Sequence, residues 1–137
     1  MSDESSIAIY NLVFRYARAY DERDLAGLAS CFVEDATFSW HIVDGASGGP
    51  FDGRDAIVQS NGASLASQTD RRRHLMTNVT ISGDGDERKV SSYLTLFSIQ
   101  DGRLTPLMTG VYDDIVVRGA DGAWLFSSRE LTCDLPF

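Results

Sequence analysis

The sequence predicts an α+β protein, with helices gathered in the first half and a run of strands filling the second. Two observations carry that reading. Up to about residue 65, apolar side chains recur at spacings of three and four in separate stretches. From residue 71 onward the pattern is that of strands, broken by Gly83-Asp84-Gly85-Asp86, Asp101-Gly102 and Gly119-Ala120-Asp121-Gly122. Asp-Gly pairs supply the positive φ of tight hairpins. Helices followed by an antiparallel meander define the class.

The first helix is expected from about Asp3 or Ser5 to about Tyr20. Asp3, Glu4 and Ser5 offer capping groups and negative charge to its positive end. Ile9, Val13, Tyr16 and Tyr20 form its apolar stripe, and Tyr10, Phe14 and Ala17 widen it. Asp24 reads as the cap of a second helix, Leu25 to about Phe32, which Glu34 and Asp35 end. Residues 36–42 read as a strand. A glycine-rich loop follows, with a short strand at Pro50-Phe51. A third helix is expected over Arg54 to Leu65, with Asp52 at its start and Ile57 and Leu65 on its buried side. Strands are expected near 71–82, 88–100, 103–118 and 123–133.

Length and composition narrow the function. A chain of 137 residues suits one domain, 1–137, able to bury roughly two-thirds of its unfolded surface without a disulfide or metal. Net charge is −8, from 12 basic and 20 acidic residues. That balance argues against nucleic acid, whose phosphates need a basic face. The one basic cluster, Arg71-Arg72-Arg73, reads first as a solvated strand start and second as an anion-steering patch. No apolar run approaches the roughly 18 residues of a membrane span, and the polar, acidic N-terminus does not resemble a signal peptide. Cys31 and Cys133 have no C-x-x-C spacing and read as free thiols in a reducing, cytoplasmic setting. His41 and His74 lie far apart without neighbouring Cys or His, so no metal site and no cofactor are expected.

His74 is the residue with the most chemical promise. Histidine is the side chain whose ordinary pKa lies near neutrality, and this one sits in a strand. Side chains alternate along a strand, so His74, Met76, Asn78 and Thr80 are expected to line a cavity. Leu75, Thr77, Val79 and Ile81 should face outward. His41 reads as a surface or loop-edge residue. On the last strand the same alternation groups Arg129 with Leu125, Ser127 and Leu131.

The stretch Tyr16-Ala17-Arg18-Ala19-Tyr20-Asp21-Glu22-Arg23-Asp24-Leu25, with Leu28 and Phe32-Val33-Glu34-Asp35-Ala36-Thr37-Phe38, resembles the opening of the nuclear-transport-factor-2-like superfamily. More closely, it is similar to the SnoaL-like branch of scytalone dehydratase, bile-acid 7α-dehydratase and hexachlorocyclohexane dehydrochlorinase. Arg73-His74 with Asn78-Val79-Thr80-Ile81 resembles that branch's histidine strand. Gly110-Val111-Tyr112 with residues 121–126 resembles its final hairpin. The likeness covers nearly the whole chain. It implies a cone-shaped, cystatin-like curved sheet wrapped around the N-terminal helices, assembled as a homodimer or homotrimer.

By the same resemblance, the aspartate near the end of the first helix falls on Asp21 and the catalytic histidine on His74. Tyr16 occupies a position where the bile-acid enzyme has a tyrosine. Tyr20 matches the tyrosine that precedes the aspartate in scytalone dehydratase, and a last-strand arginine falls on Arg129. Tyr16 and Asp21 lie about 140° apart on an ideal helix, so both can serve one cavity only if Asp21 sits where the helix ends. Tyr20, Phe38, Trp40, Met76, Asn78, Tyr93 and Tyr112 complete the expected substrate-binding set. The chain also departs from these relatives. No histidine follows His74, and 93–97 holds no aspartate. Trp40 stands near the position of the ketosteroid isomerases' base.

The implied function is a cofactor-independent lyase acting on a hydrophobic, carbonyl-bearing or cyclic small molecule. His74 would be the base, oriented by Asp21. Tyr16 or Tyr20 would donate a hydrogen bond, and Arg129 would hold an anionic or leaving group. Two rivals stay open. One is a non-catalytic binding or accessory protein resembling the small subunit of aromatic-ring dioxygenases. The other is an isomerase or cyclase using the same base.

Overall fold

The computed structural model describes residues 3–137; the Asp3 side chain, expected to cap the first helix, lies outside them. Helices α1 (Asp3–Asp21) and α2 (Leu25–Ala29) lead into β1 (Phe32–Ile42) and β2 (Ser47–Asp52). Helix α3 (Arg54–Ser67) then precedes β3 (Arg71–Ser82), β4 (Glu87–Gln100), β5 (Arg103–Arg118) and β6 (Trp124–Cys133). The six strands form one sheet in the order β2-β1-β6-β5-β4-β3. Every neighbouring pair is antiparallel except β1 and β6, which run parallel. The α+β class is as expected, and β3 to β6 follow the predicted boundaries within a residue.

The second helix is shorter than the sequence implies. Asp24 caps it as expected, accepting a hydrogen bond from the Gly27 backbone N–H at 2.9 Å. A side chain at Gly27 would collide with that carboxylate, since a Cβ there would lie 2.4 Å from Asp24 Oδ2. The helix stops at Ala29, and Phe32 to Asp35 extend into β1. Glu34 and Asp35 therefore project from a strand, where their charge is solvated.

Helix α1 buries Ile9, Leu12, Val13, Tyr16, Ala17 and Ala19. Tyr10 and Phe14, expected to widen the apolar face, are exposed instead. The buried stripe runs through Leu12 and Ala19, on the other side of the helix from these two rings. Its partners are the inward-facing residues of the sheet, Val90, Leu94 and Leu96 on β4, Met108, Tyr112 and Val116 on β5, and Trp124 and Phe126 on β6.

Two irregularities decide which side chains face this core. The register slips between Thr77 and Thr80, where Asn78 takes a φ of 52°. A bulge inserts an extra residue and so reverses the alternation beyond it. Val79 and Ile81, expected to face outward, consequently pack against the core, and Thr80 is exposed. A second slip, opposite Ile115 and Val116, lies between Phe126 and Ser128. It places Arg129 on the same inner face as Trp124 and Phe126, not with Leu125 and Ser127.

Arg129 is thereby the largest fully buried side chain among the described residues. Its Nε donates to Asp114 Oδ1 at 2.9 Å and its Nη2 to Oδ2 at 3.2 Å, in a two-pronged pair. The guanidinium carbon lies 3.8 Å from the Tyr112 ring centre, 4.2 Å from Phe126 and 4.4 Å from Tyr16. Burial pushes the Asp114 carboxyl up to about 6, although Arg129 pulls it down. The pair is still ionised at neutral pH, and the rings add cation–π attraction. Removing one member of such a pair strands the other charge in a dry core. Arg129→Leu is expected to cost ~3–5 kcal/mol in urea unfolding, and the double variant with Asp114→Leu to recover much of that loss. Simple additivity of the two single losses would show that the pair does not act as a unit.

Candidate active site

Between α1, α3 and the inner face of the sheet lies a cavity of about 360 Å³, within the range of small-molecule sites. Its apolar lining comes from Phe38, Trp40 and Ile42 of β1, Leu94 and Leu96 of β4, and Met108 of β5. Trp40 needs Gly48 opposite it on β2, because a Cβ at Gly48 would lie 2.4 Å from the indole nitrogen. Its polar lining includes Tyr16 and Tyr20 of α1, Asn61 and Gln68 from α3 and its end, and Arg72 and His74 of β3, where Leu96 is the cross-strand neighbour of His74.

The end of α1 places the carboxylate. The Arg23 N–H bonds the Tyr20 carbonyl at 3.1 Å and the Asp24 N–H bonds that of Ala19 at 2.8 Å. This is the Schellman arrangement, with Arg23 in the left-handed position usually given to glycine, at φ 57°. A non-glycine there costs roughly 1–2 kcal/mol. The arginine side chain offsets the cost by donating to the carbonyls of Leu65 at 2.7 Å and Gln68 at 2.8 Å. It thus ties the end of α1 to the end of α3.

Asp21, the last residue of α1, then meets His74 at two points. One carboxylate oxygen lies 2.5 Å from His74 Nδ1, and the other accepts the His74 backbone N–H at 2.9 Å. Both side chains are about nine-tenths buried, with relative exposures of 7% for His74 and 10% for Asp21. An ionised carboxylate only accepts, so Nδ1 is the donor, and the neutral form of the ring presents its lone pair at Nε2. That nitrogen has no hydrogen-bond partner among the described residues, and the ring lines the cavity. Asp21 itself does not line the cavity. It grips His74 from the flank, which reconciles its 140° offset from Tyr16.

The Tyr20 ring lies 4.8 Å from the His74 ring, centre to centre. Gln68 Nε2 donates to its hydroxyl at 3.4 Å, and Asn61 Nδ2 donates to the Tyr16 hydroxyl at the same distance. Both phenols therefore keep their own protons to donate. Burial raises the pKa of each above the ordinary tyrosine value; for Tyr20 this outweighs the opposing Gln68 hydrogen bond and the charge of Arg72.

Of the residues singled out in the sequence, His74, Tyr16, Tyr20, Phe38, Trp40 and Tyr112 line the cavity. Besides Asp21, four others do not. Arg129 lies beneath the floor, engaged by Asp114 and covered by Tyr16 and Tyr112. Met76 packs beside Phe14 and Ala17 in a groove where α1 crosses β3. Asn78 is turned out at the bulge. Tyr93, one residue out of step with Leu94, stands on the outer face of the sheet with 51% of its surface exposed.

Asn61 and Gln68 went unread in the sequence, and Arg72 was read only as part of a solvated or anion-steering cluster. Asn61 carried a signal, since it lies midway between Ile57 and Leu65 on the buried stripe of α3. Arg72 carried another, two residues before His74 and thus on the same face of the strand. Among the described residues, no three His, Cys, Asp or Glu side chains gather as a metal site. No helix there is long and apolar enough to cross a membrane.

Comparison with known proteins agrees with this architecture. The chain is 28% identical to Rv3472 of Mycobacterium tuberculosis, a protein of unknown function, over 95% of this chain and 72% of that one, with a TM-score of 0.81. It is 26% identical to a Catenulispora acidiphila protein solved in complex with S-DNPA, over 96% and 95% of the two chains, with a TM-score of 0.84. An NTF2-like protein with a cystatin-like fold from Novosphingobium aromaticivorans shares 23% identity over 95% of this chain and 82% of that one, at a TM-score of 0.74, and shows the same fold. No curated protein matches. The profile of the SnoaL-like domain matches residues 4–130, and the chain belongs to that family.

Proposed function

We propose that this protein is a cofactor-independent lyase that eliminates water from a hydrophobic β-hydroxy carbonyl compound. The observation that carries the reading is the two-point hold of Asp21 on His74. That hold sets the tautomer of a ring that lines a largely apolar cavity. A general base needs this combination of orientation and partial dryness.

In the proposed reaction His74 Nε2 takes the proton from the carbon next to the carbonyl. The freed electron pair forms an enolate, then a carbon–carbon double bond as the β-hydroxyl leaves. The leaving oxygen takes a proton from Tyr20 or from the imidazolium, and water departs. Asp21 supports the positive ring while it exists, as the carboxylate of a catalytic triad does. Tyr20, beside the His74 ring, is the better placed phenol, and Tyr16 stands deeper among the core rings.

In a panel of β-hydroxy carbonyl substrates followed by the absorbance of the unsaturated product, His74→Ala is expected to lose ~10²–10⁴-fold in kcat while still binding. Equal turnover in wild type and this variant would leave a binding protein. Turnover with exchange of solvent deuterium but no loss of water would identify an isomerase.

Asp21→Asn tests the orienting role. Both oxygens of Asp21 accept from His74, and an amide offers only one acceptor. Its NH₂ would either face a donor or push the ring proton onto Nε2. A kcat loss of ~10²-fold or more is expected without loss of fold. An unaltered rate in a folded variant counts against the dyad.

The tyrosines give a pH prediction. Their raised pKa values keep the hydroxyls protonated beyond pH 10. Tyr20→Phe should therefore lower kcat by a constant factor across pH 7 to 10, without moving an alkaline limb. A wild-type rate that falls through this range by an amount Tyr20→Phe abolishes would contradict the assignment.

A further inference from the structure

Among the described residues, Arg72 is the one permanently charged side chain lining the cavity, in a chain with 20 acidic residues and a net charge of −8. No carboxylate side chain joins it there. The arginine is held in place from behind. Its Nε donates to both oxygens of Asp70, at 3.2 and 3.1 Å. The Ser98 hydroxyl donates to the same carboxylate. Burial works against the charge on Asp70, but the Ser98 and Arg72 bonds outweigh it and hold the carboxyl below its ordinary pKa. This anchor uses only one of the three guanidinium nitrogens. Neither terminal nitrogen has a hydrogen-bond partner among the described residues, and neither is sealed from open space.

The surroundings suit a ligand with one charged end. Tyr20 and Gln68 line the space around Arg72, Leu96 lies one strand over beside His74, and Phe38 and Trp40 come from β1, four strands away across the sheet. The Phe137 ring lies 5.8 Å from the guanidinium carbon. Arg72 and His74 are two residues apart on one strand face, so their backbones are separated by about 6.5–7 Å. A group bound at Arg72 would place a carbon a few bonds away beside the imidazole.

We propose that Arg72 is the anion-binding residue of the cavity, and that the substrate carries a carboxylate on an apolar, ring-sized body. The guanidinium is a planar fork whose two terminal nitrogens match a carboxylate's two oxygens. With only 17% of the Arg72 side chain exposed, that pairing is screened less than at an open surface. The inference rests on the proposed function only in naming that reaction's substrate class; the binding preference can be measured without turnover.

Isothermal titration of the full chain with 2-naphthoate and with 2-naphthamide separates charge from shape. The carboxylate is expected to bind wild type about tenfold or more tightly than the amide. Arg72→Gln should remove that preference while leaving amide affinity within about a factor of two. Arg72→Lys keeps the charge without the fork and should retain part of it; circular dichroism of both variants establishes that they are folded. His74→Ala should leave the preference intact, so loss of catalysis and loss of anion binding are read separately. Equal affinities in wild type, no binding of 2-naphthoate at millimolar concentration, or a full preference in folded Arg72→Gln would each overturn the proposal.

Discussion

The grip of one carboxylate on two nitrogens of one residue is the contact on which the site depends. Asp21 holds the His74 ring by Nδ1 and its backbone by the amide N–H. Because both oxygens are committed, the carboxylate cannot swing away, and the ring cannot rotate without breaking a charge-assisted bond. The same contact joins the end of α1 to β3, one of the two edge strands of the sheet. The geometry of the candidate site and tertiary closure are therefore one feature here.

That grip needs support from both sides. On the helix side, the left-handed turn at Arg23 halts α1 directly after Asp21, and the arginine's bonds to the end of α3 hold the turn in place. On the sheet side, the alternation of β3 before its bulge points Arg72 and His74 inward together. Beneath the cavity the Arg129–Asp114 pair, enclosed by three aromatic rings, forms a rigid polar floor under Tyr16 and Tyr112. A buried ion pair is a poor source of net stability. Its effect here is to keep those rings at set positions, with their hydroxyls raised in pKa and still able to donate.

The errors of the sequence reading share a cause. Arg129 was given to the substrate by the family resemblance, and simple alternation put it beside Leu125 and Ser127. A register slip reverses that grouping, and the buried partner, Asp114, is distant in sequence and one strand away. Asn78 was misplaced by the bulge it itself forms. Tyr93 was a matter of parity that the pattern of Val90, Ser92, Leu94 and Leu96 already contained. Arg72 was taken for a solvated residue because it lies in a run of three arginines, of which only this one points inward to the cavity.

The sequence by itself determined the order of elements, the strand boundaries in the second half and the family likeness, and that likeness in turn implied the pairing of His74 with Asp21. The first two follow from local periodicity and turn chemistry, encoded within a few residues of where they act, whereas the likeness rests on the order and spacing of short motifs along the chain. Tertiary structure alone decided the parallel pairing of β1 with β6, the direction of each side chain beyond a bulge, and the single arginine that reaches the cavity. Each of these depends on which distant segment lies alongside, because one extra residue in a strand turns every later side chain to the opposite face.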